Sequence, residues 1–244
     1  MPRFKEQAVV LRSADWSETS QLVTLLTRDH GKVRGLAKGS KRMTPSSVAR
    51  FSGGIELLTV GQILGVTRPT TELATITEWD LQDDCLHLRH SLPAQRAALY
   101  AADLTTRFIE DHDPHADLFG ALLTLIDHLR NADTTQTALL NYQWSLLTEA
   151  GYRPRVDSDV HTNQPLPKRA CSFDPHAGGL THNNHDDRWR VRAQTVTLLQ
   201  DLDRGEPVDT APPESTQRAN RLLAAYAREL LATETETMRW LLNP

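Results

Sequence analysis

Residues Leu22–Arg42 read LVTLLTRDHGKVRGLAKGSKR. Two short runs of branched and small apolar residues, Leu22–Leu26 and Lys32–Lys38, flank Gly31, and Gly39 closes the second. Short runs of this kind bounded by glycine are strand signals. Working outward, Gln7–Leu11 (QAVVL) and Ile55–Val60 (IELLTV) have the same character, Gly53-Gly54 and Gly61 punctuate the series, and a fifth strand falls between Ile63 and Ile76. Five short strands in about 80 residues predict a small closed barrel, and the OB-fold is the commonest five-stranded case.

The pattern changes after residue 90. Ser91 can cap a segment with Pro93 in its first turn, and Ala94, Ala97, Ala98, Ala101, Leu104 and Phe108 follow at helical spacing. Asp113-Pro114 predicts a second helix start, with Leu118, Leu122, Leu125, Ile126 and Leu129 on one face. Leu140, Trp144 and Leu147 line a third helix that Gly151 can end. From about 152 to 190 the helical pattern stops in a loop-rich insert, and it returns at Val191–Leu202 and again from about Glu214. The expected class is α+β: a five-stranded OB-fold barrel over residues 1–80, then an all-helical domain over 81–244 interrupted at 152–190.

A chain of 244 residues with 39% apolar and 24% charged residues has enough of both to fold around a core. No uncharged apolar run approaches the roughly 18 residues of a membrane helix, and the start Met1-Pro2-Arg3-Phe4-Lys5 has no apolar signal core. Two cysteines, Cys85 and Cys171, cannot form a disulfide framework, so a reducing cytoplasm is the expected compartment. The formal charge of −4 is unevenly spread: residues 1–50 carry ten Lys and Arg against four acidic residues, while 51–130 carry five against twelve. A basic end on an acidic chain points to a polyanion partner at that end.

Alternate strand residues share a face, so Lys32, Arg34, Leu36 and Lys38 point one way and Val33, Gly35 and Ala37 the other. Lys41 and Arg42 extend the basic stripe into a loop, and Arg50 follows. Such a row can track the phosphates of a single strand, with Trp16 and Phe51 as nearby aromatics that could stack on bases. Gly39-Ser40-Lys41 lacks the spacing of a nucleotide-binding loop. His161, His182, His185, Asp186 and Asp187 could be imagined as a metal-dependent hydrolase, but they fall in a turn-rich insert without a His-Glu-x-x-His motif, and no nucleophile elbow is present. The reading is of a binding protein without catalytic residues; an RNA-binding OB-fold adaptor is the alternative within that class.

Ala8–Arg12, Asp15–Ser20 and above all Thr24–Lys38 resemble the N-terminus of the RecO family of bacterial DNA repair and recombination mediators. Trp16 and Phe51 match the family's aromatics, and Ala150-Gly151-Tyr152-Arg153-Pro154 and Phe173 with Gly178-Gly179-Leu180 resemble its later motifs. The resemblance implies an OB-fold and a helical domain holding a zinc-finger-like insert. It implies binding of single- and double-stranded DNA, annealing of complementary strands, and partnership with RecR and the acidic tail of single-strand-binding protein in loading recombinase. It further implies a cytoplasmic, nucleoid-associated protein. The expected DNA-binding residues are Lys32, Arg34, Lys38, Lys41, Arg42, Arg50, Trp16 and Phe51, and Arg89, Arg96, Arg107 and Arg130 are the basic candidates for an acidic tail. Many family members carry Cys-x-x-Cys twice in the insert; here those positions hold Asp159 and Thr162, then His182 and His185. No cofactor is expected. If zinc were held, His182, His185, Asp159 and His161 would be its ligands, without the thiolates of a structural site.

Overall fold

The computed structural model describes residues 3–68, 71–166, 170–182 and 187–242. It divides into two compact units, residues 1–130 and 131–244. The first unit begins with β1 (Arg3–Ser17), β2 (Ser20–Thr27), β3 (Gly31–Ala37), a helix α1 (Pro45–Phe51), β4 (Val60–Arg68) and β5 (Thr71–Asp83). The strands close into a barrel in the order β1-β2-β3-β5-β4, with β4 returning to β1. β3 and β5 run parallel, with Gly35 opposite Ala74 and Ala37 opposite Ile76. This is the expected five-stranded OB-fold, although its fourth and fifth strands are β4 and β5, which together span the region where a single strand was expected between Ile63 and Ile76.

The strand β1 serves two neighbours. Its residues 3–9 pair with β4 and its residues 8–17 pair with β2, and a register shift between Val10 and Arg12 bends it from one partner to the other. Inward positions fill the barrel: Ala8 and Val10 from β1, Val23 and Leu25 from β2, Val33 and Ala37 from β3, Ile63 from β4, and Ile76 and Trp79 from β5. Each large apolar side chain buried this way contributes roughly 1.5–3 kcal/mol relative to exposure.

Two local expectations are corrected here. Ile55–Val60 is not a strand. After Gly53 and Gly54, both at positive φ, the chain forms a loop that plugs Ile55 into the barrel, and Leu58 N donates to Val10 O while Val10 N donates to Thr59 O. Residues 45–51 form α1, a helix absent from the sequence reading. Thr44 caps it by accepting from Ser47 N, Pro45 occupies its first turn, and Ser52 ends it in the left-handed region.

The first unit also holds α2 (Leu92–Phe108) and α3 (Ala116–His128). Ser91 caps α2 as expected, accepting from Ala94 N, whereas α3 starts two residues beyond Pro114. The segment between them lies along the start of β3, where His112 N donates to Lys32 O. Strand gives way to helix near residue 83, but compactness divides the chain only after Arg130, because α2 and α3 pack with the barrel.

The second unit contains α4 (Thr135–Glu149), a small antiparallel sheet of β6 (Cys171–Asp174), β7 (Gly179–Thr181) and β8 (Arg190–Val191) in the order β7-β6-β8, then α5 (Ala193–Asp203), α6 (Pro213–Leu231) and α7 (Glu236–Leu242). α4 and α6 are joined by a buried hydrogen bond from Gln143 Nε2 to Asn220 Oδ1 at 2.8 Å. Gly178 supplies a turn at φ +72, and Gly179 passes so close to Arg155 and Val160 that a side chain has no room. Among the described residues no helix is long and apolar enough to cross a membrane.

Gly31 joins β2 to β3 at φ +63, and a Cβ there would lie 1.9 Å from the carbonyl oxygen of Asp113. Gly31→Ala therefore combines backbone strain with an overlap that only movement of the segment between α2 and α3 can relieve. It should destabilise the first unit by about 3 kcal/mol or more, read as a lower urea midpoint with an unchanged slope.

Candidate nucleic-acid interface

The turn end of the β1–β2 hairpin and the loop after β3 meet over a shallow groove of about 320 Å³. Trp16, Leu36, Lys38, Arg42 and Arg50 line it. Trp16 is next to last in β1, 62% exposed, with an apolar face offered to solvent. Lys38 follows β3, Arg42 ends the loop, and Arg50 lies in the last turn of α1.

The loop is held by a buried amide. Gln21 Oε1 accepts from Ser40 Oγ at 2.9 Å and Ile55 N at 3.0 Å, and its Nε2 donates to Ser13 Oγ and Ile55 O. Backbone bonds from Lys41 N to Thr19 O and from Arg42 N to Gly39 O complete the turn. Nothing in the sequence flags Gln21, whose importance comes entirely from what the fold brings around it.

The expected DNA-binding residues separate into two groups. Arg34, Lys38, Arg42 and Arg50 are exposed and, among the described residues, form no ion pair. Lys41 is half-buried and bound to Asp15 at 2.6 Å. Lys32 departs from the expectation: only 9% exposed, it donates to Thr106 O at 2.8 Å and pairs with Asp111 at 3.1 Å. It shares a strand face with Arg34, but the connection between α2 and α3 covers it. Phe51 also departs, at 1% exposure inside the barrel, so it cannot stack on a base. It instead lies under the Arg50 guanidinium, 5.7 Å from the ring centroid.

The basic residues considered for an acidic tail carry local partners. Arg89 pairs with Glu56, Arg107 with Asp103 at 2.9 Å, and Arg130 with Asp83 at 2.5 Å and Asp127 at 3.1 Å.

The insert of the second unit is organised by Asp159, which is fully buried. One carboxylate oxygen accepts from His161 N and Thr162 N, each at 2.9 Å. The other accepts from Thr181 Oγ1 at 3.0 Å, His182 N at 2.6 Å and His182 Nδ1 at 2.9 Å. Burial opposes ionisation, but the donated hydrogen bonds of His182, Thr162 and His161 outweigh it and hold the carboxyl far below the usual carboxylate range. The two arms that carry Cys-x-x-Cys in many RecO proteins are thus joined by one carboxylate.

The described residues are not gathered as a zinc site. Both Asp159 oxygens are occupied, His182 Nδ1 is turned onto that carboxylate, His161 Nε2 is bound to Asp174 at 2.9 Å, and Thr162 offers no strong ligand. His185 and Asp186 lie outside the described residues. Among the described residues no group of three or more His, Cys, Asp or Glu side chains could hold a metal ion. Cys171 is buried beside Val191 in the sheet and forms no disulfide with the other described cysteine, Cys85.

Comparison with known proteins covers both units. The family model "Recombination protein O N terminal" matches residues 1–84, and "Recombination protein O C terminal" matches residues 89–238. A "DNA repair protein RecO" of Myxococcus xanthus is 31% identical over 93% of this chain and 91% of its own length. Another, from Anaeromyxobacter sp. strain Fw109-5, is 33% identical over 73% of this chain and 68% of its own. A third, from Bacillus pumilus, is 30% identical over 66% and 60%.

The Asp159 lock has a signed pH dependence. Its depressed folded pKa contributes stability that is present above the unfolded value near 3.9 and lost progressively as pH falls below it. Asp159→Asn, which removes the charge that these donors solvate, should cost about 3 kcal/mol at neutral pH and roughly 1 kcal/mol less near pH 3, the rest being lost only at still lower pH. Chelator should leave the wild-type melting curve unchanged, because no metal-binding energy is coupled to folding. A variant as stable as wild type at neutral pH would show that the carboxylate does not hold the insert.

Proposed function

The chain belongs to the RecO family of DNA repair proteins, and from that premise we propose that it acts as a recombination mediator whose barrel groove binds DNA and supports annealing. The observation that carries this reading is the convergence of Trp16, Lys38, Arg42 and Arg50 on one groove, with none of the three cations paired to a carboxylate among the described residues. Arg34 extends the charge along β3.

In this reading Arg34, Lys38, Arg42 and Arg50 neutralise successive phosphates of one strand and release their counterions. Trp16 takes one base on its exposed face, a contact indifferent to sequence. The bound strand is held by its backbone, so base edges away from Trp16 stay free to pair with an arriving complement. Lys41, tied to Asp15, shapes the loop, and Lys32 braces the barrel. No group on the chain is assigned to make or break a covalent bond. The partners that the RecO resemblance implies, RecR and the acidic tail of single-strand-binding protein, belong to the same proposal, as do recombinase loading and residence at the nucleoid.

Salt titration of single-stranded DNA binding tests it. Arg34→Ala with Lys38→Ala should weaken binding about equally across sequences and make the slope of log affinity against log salt shallower by roughly 1.4. Annealing should fall in parallel. Trp16→Ala should cost about 1–3 kcal/mol of affinity and leave the slope nearly intact. Lys32→Ala should lower the melting temperature while leaving the slope unchanged. Arg107→Ala with Arg239→Ala, two cations already paired to Asp103 and Glu234, is the control. Equal weakening by the control would remove the site assignment.

A further inference from the structure

The five residues 188–192 read Arg-Trp-Arg-Val-Arg. Arg188 and Trp189 end a short helical turn, Arg190 and Val191 form β8, and Arg192 precedes α5. Val191, 3% exposed, points into the second unit opposite Cys171, while Arg190 and Arg192 on either side of it are exposed.

A second element completes the arrangement. Arg218 and Arg221 lie one turn apart on α6 and line the same groove of about 260 Å³ as Arg190 and Arg192, with Trp189 and Leu222 as its apolar surface. Arg218 is oriented by neutral partners only, donating to Thr195 Oγ1 and Gln194 Oε1 at 3.3 Å and to Ser215 Oγ at 3.0 Å. Trp189 is set against Phe173, with ring centroids 5.9 Å apart.

Ion pairing separates this groove from most of the unit's other described arginines; Arg155, bound to the neutral Asn163, is the exception. Arg153, Arg204, Arg228 and Arg239 each pair with a carboxylate. Among the described residues Arg190, Arg192, Arg218 and Arg221 pair with none, and Arg221 Nε is buried without an acceptor. The second unit holds more acidic than basic residues, 15 against 12, so carboxylates are not scarce. Uncompensated guanidinium groups drawn together repel one another and incur a desolvation cost, and an anionic chain laid along them relieves both. The first turn of α5 opens beside Arg192 with no capping side chain and no acidic residue, so its backbone dipole favours the same sign of ligand.

We propose that the second unit carries its own nucleic-acid backbone site, in which Arg190, Arg192, Arg218 and Arg221 bind phosphates and Trp189 lies against the sugar–base side. This site is built from residues of the second unit alone, whereas the barrel groove belongs to the first. A chain with two backbone sites can hold one strand in each, which is what bringing complements together requires.

The test uses the full chain, a fluorescently labelled oligothymidylate, and Arg190→Ala with Arg192→Ala, two exposed side chains whose removal leaves the fold intact by circular dichroism and melting. The expected result is an affinity loss of about tenfold with a salt slope shallower by roughly 1.4. Residual binding of the Arg34→Ala/Lys38→Ala protein should be abolished when the two pairs are combined. Arg190→Lys with Arg192→Lys should restore most of the slope, since the charges return. Wild-type affinity and slope in both backgrounds would overturn the proposal. So would loss of an acidic peptide without loss of oligothymidylate, since the occupant would then be protein. If the barrel pair binds like wild type while the Arg190/Arg192 pair fails, the barrel reading falls and this site stands.

Discussion

The barrel depends on one strand being shared. β1 must lie beside β2 over its second half and beside β4 over its first, and without that double pairing the sheet would be open, with two exposed edges. The register shift at Val10–Arg12 is what permits it, because a strand that bends can follow two partners diverging around the closure. Closure then fixes where the binding residues stand. It brings the end of β1, carrying Trp16, against the loop that follows β3, and it buries Gln21 where its amide can hold that loop and Ile55 together. Arg50 arrives on α1, which caps the barrel through Phe51. The groove follows from the closure and needs no separate device.

Short-range pattern made much of this legible. The glycine-bounded runs located β1, β2 and β3, alternation placed Val33 and Ala37 inside and Arg34 and Lys38 outside, and Ser91 marked the start of α2. The misreadings have a common physical origin. Alternation tells which face Lys32 takes, but not that Thr106 and Asp111, more than seventy residues later, return to cover it. Phe51 looked like a stacking aromatic because it follows a basic loop, yet it ends a seven-residue helix too short to announce itself by periodicity. Ile55–Val60 has strand composition, but Ile55 is apolar because it plugs the barrel and Leu58 sits at positive φ. Asp159 read as a candidate metal ligand, and only the converging donors of two distant turns reveal it as the centre of the insert. Arg190 and Arg192 carried a signal of their own in the alternation Arg-Trp-Arg-Val-Arg, obscured by the loop-like composition before it.

Pairing, more than the number of charges, separates binding surface from solvated surface in this chain. Arg107, Arg130, Arg153 and Arg204 sit beside carboxylates and contribute little net field. Cations without such neighbours include Lys38, Arg42 and Arg50 at the barrel groove and Arg190, Arg192, Arg218 and Arg221 beside α5. A net charge of −4 therefore coexists with two local clusters of positive charge.

The carboxylate at the centre of the insert changes what can damage it. A cluster of four thiolates is a target for oxidants, which convert sulfur ligands to sulfenic or higher acids and eject the ion they hold. Asp159 and its five donors contain no sulfur, so peroxide finds no thiolate to attack in that lock. Protons can break it, at an acidity far from neutral. For a member of a DNA repair family, this keeps the junction between the two arms apart from the oxidative chemistry that breaks DNA, while the thiol of Cys171 lies in the adjoining sheet.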